Sequence, residues 1–260
     1  MEGNSKMNAI KLENFNSEKI TNDLVKWIQD YFKENATDTT KAVVGISGGK
    51  DSSVVATLCV KALGVDRVVG VLMPQGEQFD INISRDLCEH LGIKHYEINI
   101  GETVKAFYEE IDSKELVRNT IATFNTPARI RMTTVYAISA IVGGRVANTC
   151  NLSEDYVGYA TKFGDGAGDF SPLSHLTVTE VKEIGRYLGL PSKFVDKTPI
   201  DGLCGKTDED NLGFTYDTLD KYIRTGVCED IETKNKIDDM YKKNVHKIMP
   251  MPSFDVNDIK

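Results

Sequence analysis

A chain of 260 residues with 40% hydrophobic and 27% charged residues is composed like a globular domain with room for a large core. Its net charge of −8 argues against a protein that lives on DNA or RNA, where phosphate neutralisation dominates affinity, but leaves room for a nucleotide held by local cations and helix N-termini. No apolar run approaches the ~20 residues of a membrane helix, residues 1–13 lack the apolar core of a signal peptide, and the five cysteines (Cys59, Cys88, Cys150, Cys204, Cys228) form no C-x-x-C pair, as expected of free thiols in a reducing cytoplasm.

In chain order, Ile20, Leu24, Trp27, Ile28, Tyr31 and Phe32 share one face and predict an amphipathic helix over 16–35, its apolar stripe serving as core or interface. Residues 41–46 read as a buried strand and 52–63 as a helix stopped by Gly64. A second buried strand spans 68–73 and ends at Pro74; a helix over 81–91 closes at Gly92; a third strand spans 95–100. Helices follow over 103–111 and 126–142, then a strand over 145–149. Thr177 and Glu180 form a capping box for a helix through Val181, Ile184 and Leu188, ended by Gly189 and Pro191. Thr215 caps another through Leu219, Tyr222 and Ile223, and the last spans 237–248. Two stretches rich in Gly and Asp, 159–172 and 199–211, read as irregular loops of the kind that carry function. The alternation predicts a Rossmann-like α/β fold, a parallel sheet with helices on both faces. With no repeat and no long linker, one domain over 1–260 is expected.

The segment Gly45-Ile46-Ser47-Gly48-Gly49-Lys50-Asp51-Ser52-Ser53 joins the first strand to the first helix of the sheet. Open α/β sheets bind ligands there, beyond the carboxyl ends of the strands. Glycines admit an anion close to the backbone, free N–H groups and serine hydroxyls can bond phosphate oxygens, and Lys50 adds a point charge. Asp51 beside an anion implies a metal ion between them. A Walker A loop is excluded, because Gly45 and Gly49 have three residues between them and Lys50 precedes Asp51; the G-x-G-x-x-G fingerprint is also absent.

The loop resembles the SGGxDS loop of the PP-loop ATP pyrophosphatase superfamily, whose fold is adenine nucleotide alpha-hydrolase-like and whose members cleave ATP to AMP and pyrophosphate. The rest of the chain is similar to one branch of it. Asn125 to Met132 resembles an N-x-x-A-R-x-R-M signature, and Thr161-Lys162-Phe163-Gly164-Asp165-Gly166 a TKxGDG segment with Asp169 and Pro172 following. Thr149 with Glu154 resembles GTxxxxE, although Ala147-Asn148 replaces the usual small residues; Pro74, Gly76, Gln78 and Asp80 resemble PxGxQxD; His246-Lys247 resembles a terminal HK pair. In collinear order from about residue 20 onward, these motifs resemble the ammonia-dependent NAD synthetase family. About forty residues precede the loop, so no glutaminase domain is expected.

The resemblance implies a ligase joining ammonia to deamido-NAD through an acyl-adenylate, with ATP as co-substrate, Mg²⁺ as cofactor, and a cytoplasmic homodimer binding neither nucleic acid nor membrane. It assigns ATP binding to Gly45, Ile46, Ser47, Gly48, Gly49, Lys50, Asp51, Ser52, Gln78 and Thr149, the metal to Asp51 and Glu154, and deamido-NAD to Arg129, Lys162, Asp169, His246 and Lys247. Asp165 is the candidate base that takes a proton from ammonium. Three positions depart from the pattern: Val178 stands where the family has Lys, Ile200 where it has Ser or Thr, and Leu72 where it often has Arg. Val178 and Ile200 therefore count as ATP-site positions only, with Lys182 or Lys206 as possible substitutes.

Taken singly, each residue has a plainer reading: Arg129 and Arg131 as solvated helix cations, Lys162 and Asp169 as loop solubilisers, Glu154 as a surface acid and His246 as an ordinary helix residue. The rival functions are a PP-loop enzyme that modifies tRNA, which would call for a basic surface and cysteine pairs, and a non-catalytic nucleotide-binding protein on the same fold. The helix over 126–142 is a plausible dimer element.

Overall fold

Ala42, Val43 and Val44 are fully buried, and an apolar run of this kind satisfies its backbone only inside a sheet covered on both faces. The computed structural model describes residues 15–197 and 207–254. In it β1 (Lys41–Gly45) lies between β2 (Val68–Leu72) and β4 (Gly144–Ala147), with β3 (Lys94–Glu97) outside β2. All pairings are parallel and the order is β3-β2-β1-β4. The chain moves outward through β2 and β3, then returns to the other side of β1. The gap between the carboxyl ends of β1 and β4 is thus a topological switch point, where such sheets open a crevice for a ligand.

Alternate residues of the strands face two layers. Ala42, Val44 and Leu72 join the main cluster with Ile28 and Phe32 of α1 (Ser17–Asn35), Val54 and Leu58 of α2 (Lys50–Leu63), and Val181 and Ile184 of α7 (Val178–Tyr187). Leu87 of α3 (Ile81–Leu91) and Phe194 of α8 (Ser192–Val195) extend it. Val43, Val69, Val71 and Val146 pack on the opposite face with Val135 of α5 (Thr120–Val142). A further cluster unites Leu152 and Val157 of α6 (Leu152–Val157) with Val178, Leu212 of α9 (Asp208–Leu212), Leu219 of α10 (Tyr216–Thr225) and Ile237 of α11 (Ile231–Asn244). This cluster holds the C-terminal helices against the switch-point end of the sheet.

The structure differs from the sequence reading at several points: β3 ends at Glu97 rather than at 100, and α6 has no counterpart in that reading. α5 begins at Thr120, capped by Asn119, and carries Pro127 in its interior. Pro127 cannot donate to the Thr123 carbonyl one turn back. Tyr108 of α4 (Gly101–Asp112) supplies the lost bond, its hydroxyl donating to Thr123 O at 2.9 Å. α11 begins at Ile231, capped by Asp230, because a polar helix needs only Ile237 in the core to anchor it. The stretch 199–211 is not irregular throughout: Thr207 and Asp210 form a capping box that opens α9. The predictions on Ile200, Cys204 and Lys206 lie outside the described residues.

Candidate active site at the switch point

The loop after β1 folds on itself through its serines. Gly48 takes φ 76°, a conformation for which glycine is suited, and a Cβ there would lie 2.9 Å from Ser84 Oγ. Gly49 caps α2 with no side chain, so the first N–H groups of that helix face the crevice. Ser52 Oγ lies 3.1 Å from Ser47 Oγ, and both Ser52 and Ser53 donate to Gly49 O. The outcome is a rigid ring of N–H and hydroxyl groups at a helix N-terminus, suited to a phosphate chain. Ser84 Oγ, buried against this loop, is without a hydrogen-bond partner.

Lys50 does not point into solvent. Only 3% of its side chain is exposed, and its Nζ lies 2.8 Å from Asp51 Oδ2 and 3.5 Å from Glu154 Oε1. The Tyr216 ring lies beneath the ammonium, 5.7 Å away, and the Tyr216 hydroxyl donates to Asp208. Burial works against the ammonium, but Asp51 and Glu154 outweigh it and hold the Lys50 pKa above its ordinary value. Burial and the repulsion of Asp51 push the Glu154 carboxyl up, against the pull of Lys50.

Asn151, fully buried, was missed by sequence reasoning. It caps α6 by accepting the Glu154 N–H at 3.1 Å and donates to Asp51 Oδ1 at 3.0 Å. The N-cap pattern Asn151-x-x-Glu154 was the signal that could have found it. Asp208 and Tyr216, brought in by α9 and α10, carried no comparable signal.

A cavity of about 470 Å³ is lined by Asn148, Asp155, Lys162, Asp169, Phe170 and Lys247 among others. Lys162, Asp169 and Lys247 thus line one cavity. Arg129 reaches the same region through bonds from its guanidinium to Lys162 O, and Lys162 Nζ donates to His246 O at 2.6 Å. Lys247 Nζ donates to Gly158 O. Asp169 is fixed by Val146 N–H at 2.7 Å. Asp165 closes its turn by accepting from Thr161 N at 2.9 Å, and burial raises its pKa despite that bond.

The remaining assigned positions fall elsewhere. Gln78 sits on the loop after β2 and donates to Asp80, which also bonds Lys197. Thr149 lies on the exit of β4 between buried Asn148 and Cys150. Val178 is a core residue of the C-terminal cluster, its backbone N–H given to Ser153 Oγ, so the structure does not bring it to the crevice as a polar ATP contact. Leu72 is likewise core. Both side chains are sealed in apolar packing.

The description NAD synthase fits the family profile that matches residues 20–253 of the chain. The NH(3)-dependent NAD(+) synthetase of Methanocaldococcus jannaschii is 40% identical over 247 residues, 88% of this chain and 94% of that protein. Its counterpart from Pyrococcus furiosus is 41% identical over 213 residues, 82% and 79% of the two chains. Among solved structures, the NMN synthetase from Francisella tularensis superposes with a TM-score of 0.84 at 32% identity, covering 92% of this chain and 99% of that one. The NH3-dependent NAD synthetase from Campylobacter jejuni gives 0.74 at 30% identity over 93% and 99%.

Proposed function

The chain belongs to the NAD synthase family, and we propose that it condenses ammonia with the nicotinate carboxylate of deamido-NAD, driven by ATP and releasing AMP and pyrophosphate. One observation carries this reading. The segment 148–155 contributes Glu154 to the acidic pair beside the phosphate-binding loop and Asn148 and Asp155 to the cavity that bears Lys162, Asp169 and Lys247, so one stretch of chain borders both an activated phosphate and an anionic dinucleotide.

Asp51 and Glu154 fit a bound Mg²⁺: they are hard oxygen donors, only partly exposed, and converge on one point that phosphate oxygens and water can complete. The metal would offset charge on the departing pyrophosphate. The chain's own groups do the rest. The carboxylate attacks the α-phosphorus, and pyrophosphate leaves into the N–H and hydroxyl ring of Ser47, Gly48, Gly49 and Ser52. Ammonia then attacks the carbonyl carbon of the acyl-adenylate and AMP departs. Asp165 accepts the proton that frees ammonia from ammonium, a role favoured by the burial that raises its pKa. Lys162 and Lys247 hold the substrate anions and Asp169 the ribose hydroxyls.

The same reading makes the protein a cytoplasmic homodimer. Ile121, Phe124 and Ile141 of α5 present exposed apolar surface that a second copy would cover. A second reading of the acid substrate is favoured by the higher fold similarity to the Francisella protein named NMN synthetase: the acid would be the mononucleotide. Incubation with ATP, Mg²⁺, ammonium and either acid, with amide product and pyrophosphate measured, decides between them. Formation of neither amide refutes the function, and pyrophosphate released only with tRNA supports a tRNA-modifying enzyme instead.

A further inference from the structure

Asp51 and Glu154 are not free to receive a cation, because one is already there. The Lys50 ammonium sits between them at 2.8 Å and 3.5 Å, and its side chain is only 3% exposed. A lysine buried this deeply needs its charge paired. The surroundings hold it in place: Tyr216 lies under the ammonium, and Asn151 grips the far oxygen of Asp51. Without it the two half-buried carboxylates would repel each other across the gap. The ammonium and a divalent ion cannot share that gap, since like charges at contact distance repel as strongly as the opposite pair attracts.

We infer that Lys50 is a built-in counterion that occupies the metal position between Asp51 and Glu154, and that a divalent cation enters by displacing it toward the incoming phosphates. The inference rests on the reading of Asp51 and Glu154 as the metal ligands. It has a functional consequence. Metal alone must compete with a tethered cation, whereas metal arriving with a triphosphate gives the released ammonium a new anionic partner. Metal and nucleotide therefore bind with positive coupling, and the coupling is reciprocal. The bare site is kept intact between turnovers and binds metal alone only weakly.

The test uses the full chain and Mn²⁺ as the probe, with free Mn²⁺ counted by electron paramagnetic resonance. Lys50→Met removes the competitor while keeping the length and apolar stem of the side chain. It is expected to bind Mn²⁺ at least about tenfold more tightly than the wild type, and adding Glu154→Gln to it is expected to abolish that binding. Equal or weaker Mn²⁺ binding by Lys50→Met overturns the inference while leaving the metal assignment standing. Absence of any Mn²⁺ binding sensitive to Glu154→Gln, in either background, overturns both. Should Lys50→Met fail to fold without metal, reductive methylation of the wild type read by peptide mass provides the answer. Lys50 labelling is expected to rise on Mn²⁺ saturation while Lys61, exposed on the same helix, stays constant. Lys50 that remains protected at saturation overturns the displacement.

Discussion

Asn151 donates to Asp51 Oδ1 at 3.0 Å and accepts the Glu154 N–H at 3.1 Å, so a single buried amide fixes both acidic residues of the site. It holds one carboxylate directly and opens the helix that carries the other. Asn151→Ala loses a helix cap, worth about 1 kcal/mol, and a charge-assisted hydrogen bond, worth about 1.5 kcal/mol or more. Urea unfolding should show a loss of about 2 to 3 kcal/mol. Asn151→Ser keeps a capping oxygen but cannot reach Asp51; it should retain most of the stability and require more Mg²⁺ for half-maximal rate. Unchanged Mg²⁺ dependence in the serine variant would show that the brace on Asp51 has no functional role.

Glu154→Gln keeps the shape of the side chain and removes one metal oxygen's charge. The expected fall in kcat/KM is at least about a hundredfold, near 2.7 kcal/mol of transition-state stabilisation. Binding of the pyridine substrate, followed by fluorescence or calorimetry, should barely change because Glu154 does not line that cavity.

Gly48→Ala places a methyl group 2.9 Å from Ser84 Oγ and 3.2 Å from Ser84 N, on a backbone held at φ +76°. The variant should lose more than about 1 kcal/mol of stability and most of its nucleotide affinity. Ser84→Ala, by contrast, removes a buried hydroxyl that lacks a partner. Its stability should be unchanged or higher, and a clear loss in thermal or urea unfolding would contradict the packing described.

Burial favours the neutral form of Asp165, so its pKa lies above the ordinary aspartate value of about 3.9. Arg131, Asp155 and Lys247 face it from α5, α6 and the turn Val245–Lys247. On acidification its basic form is lost at a higher pH than that of an exposed aspartate. With ammonium held constant, the rate should fall along an acid limb that Asp165→Asn removes together with most of the activity. An Asp165→Asn enzyme with the wild-type rate and limb would exclude it as the base.

Tyr108→Phe should cost about 1 kcal/mol without altering kcat, because it strips the donor from Thr123 O opposite Pro127. Replacing Pro127 with Ala in that background restores a backbone N–H and should recover the loss. A double-mutant cycle of unfolding free energies measures the coupling, and additive losses would show that the hydroxyl does not replace the missing bond.

The two central strands β1 and β2 were legible because they are short apolar runs ended by glycine or proline, at Gly45 and Pro74. Helix starts with strong caps, such as Thr177, were legible too. The start of α5 was not, because Pro127 reads locally as a helix beginning, and only the distant Tyr108 hydroxyl lets the helix run through it. The polar first turns of α11 hid their helix for want of an apolar stripe. In the site, residues in contiguous motifs were readable, Ser47 to Ser52 above all. The capture of Lys50 by Glu154 was not, since it depends on how β4 returns beside β1. Val178 was legible as a departure from the family pattern, but its burial among Leu152, Leu212 and Leu219 emerges only in three dimensions.

The most direct test of the central claim is isotopic. Acid substrate labelled with ¹⁸O in both carboxylate oxygens is turned over with ATP, Mg²⁺ and ammonium, and amide and AMP are analysed by mass spectrometry. Attack of the carboxylate on the α-phosphorus predicts one ¹⁸O in AMP for each amide formed, with an equal yield of pyrophosphate. Amide absent, AMP unlabelled, or ADP and phosphate in place of AMP and pyrophosphate would contradict it.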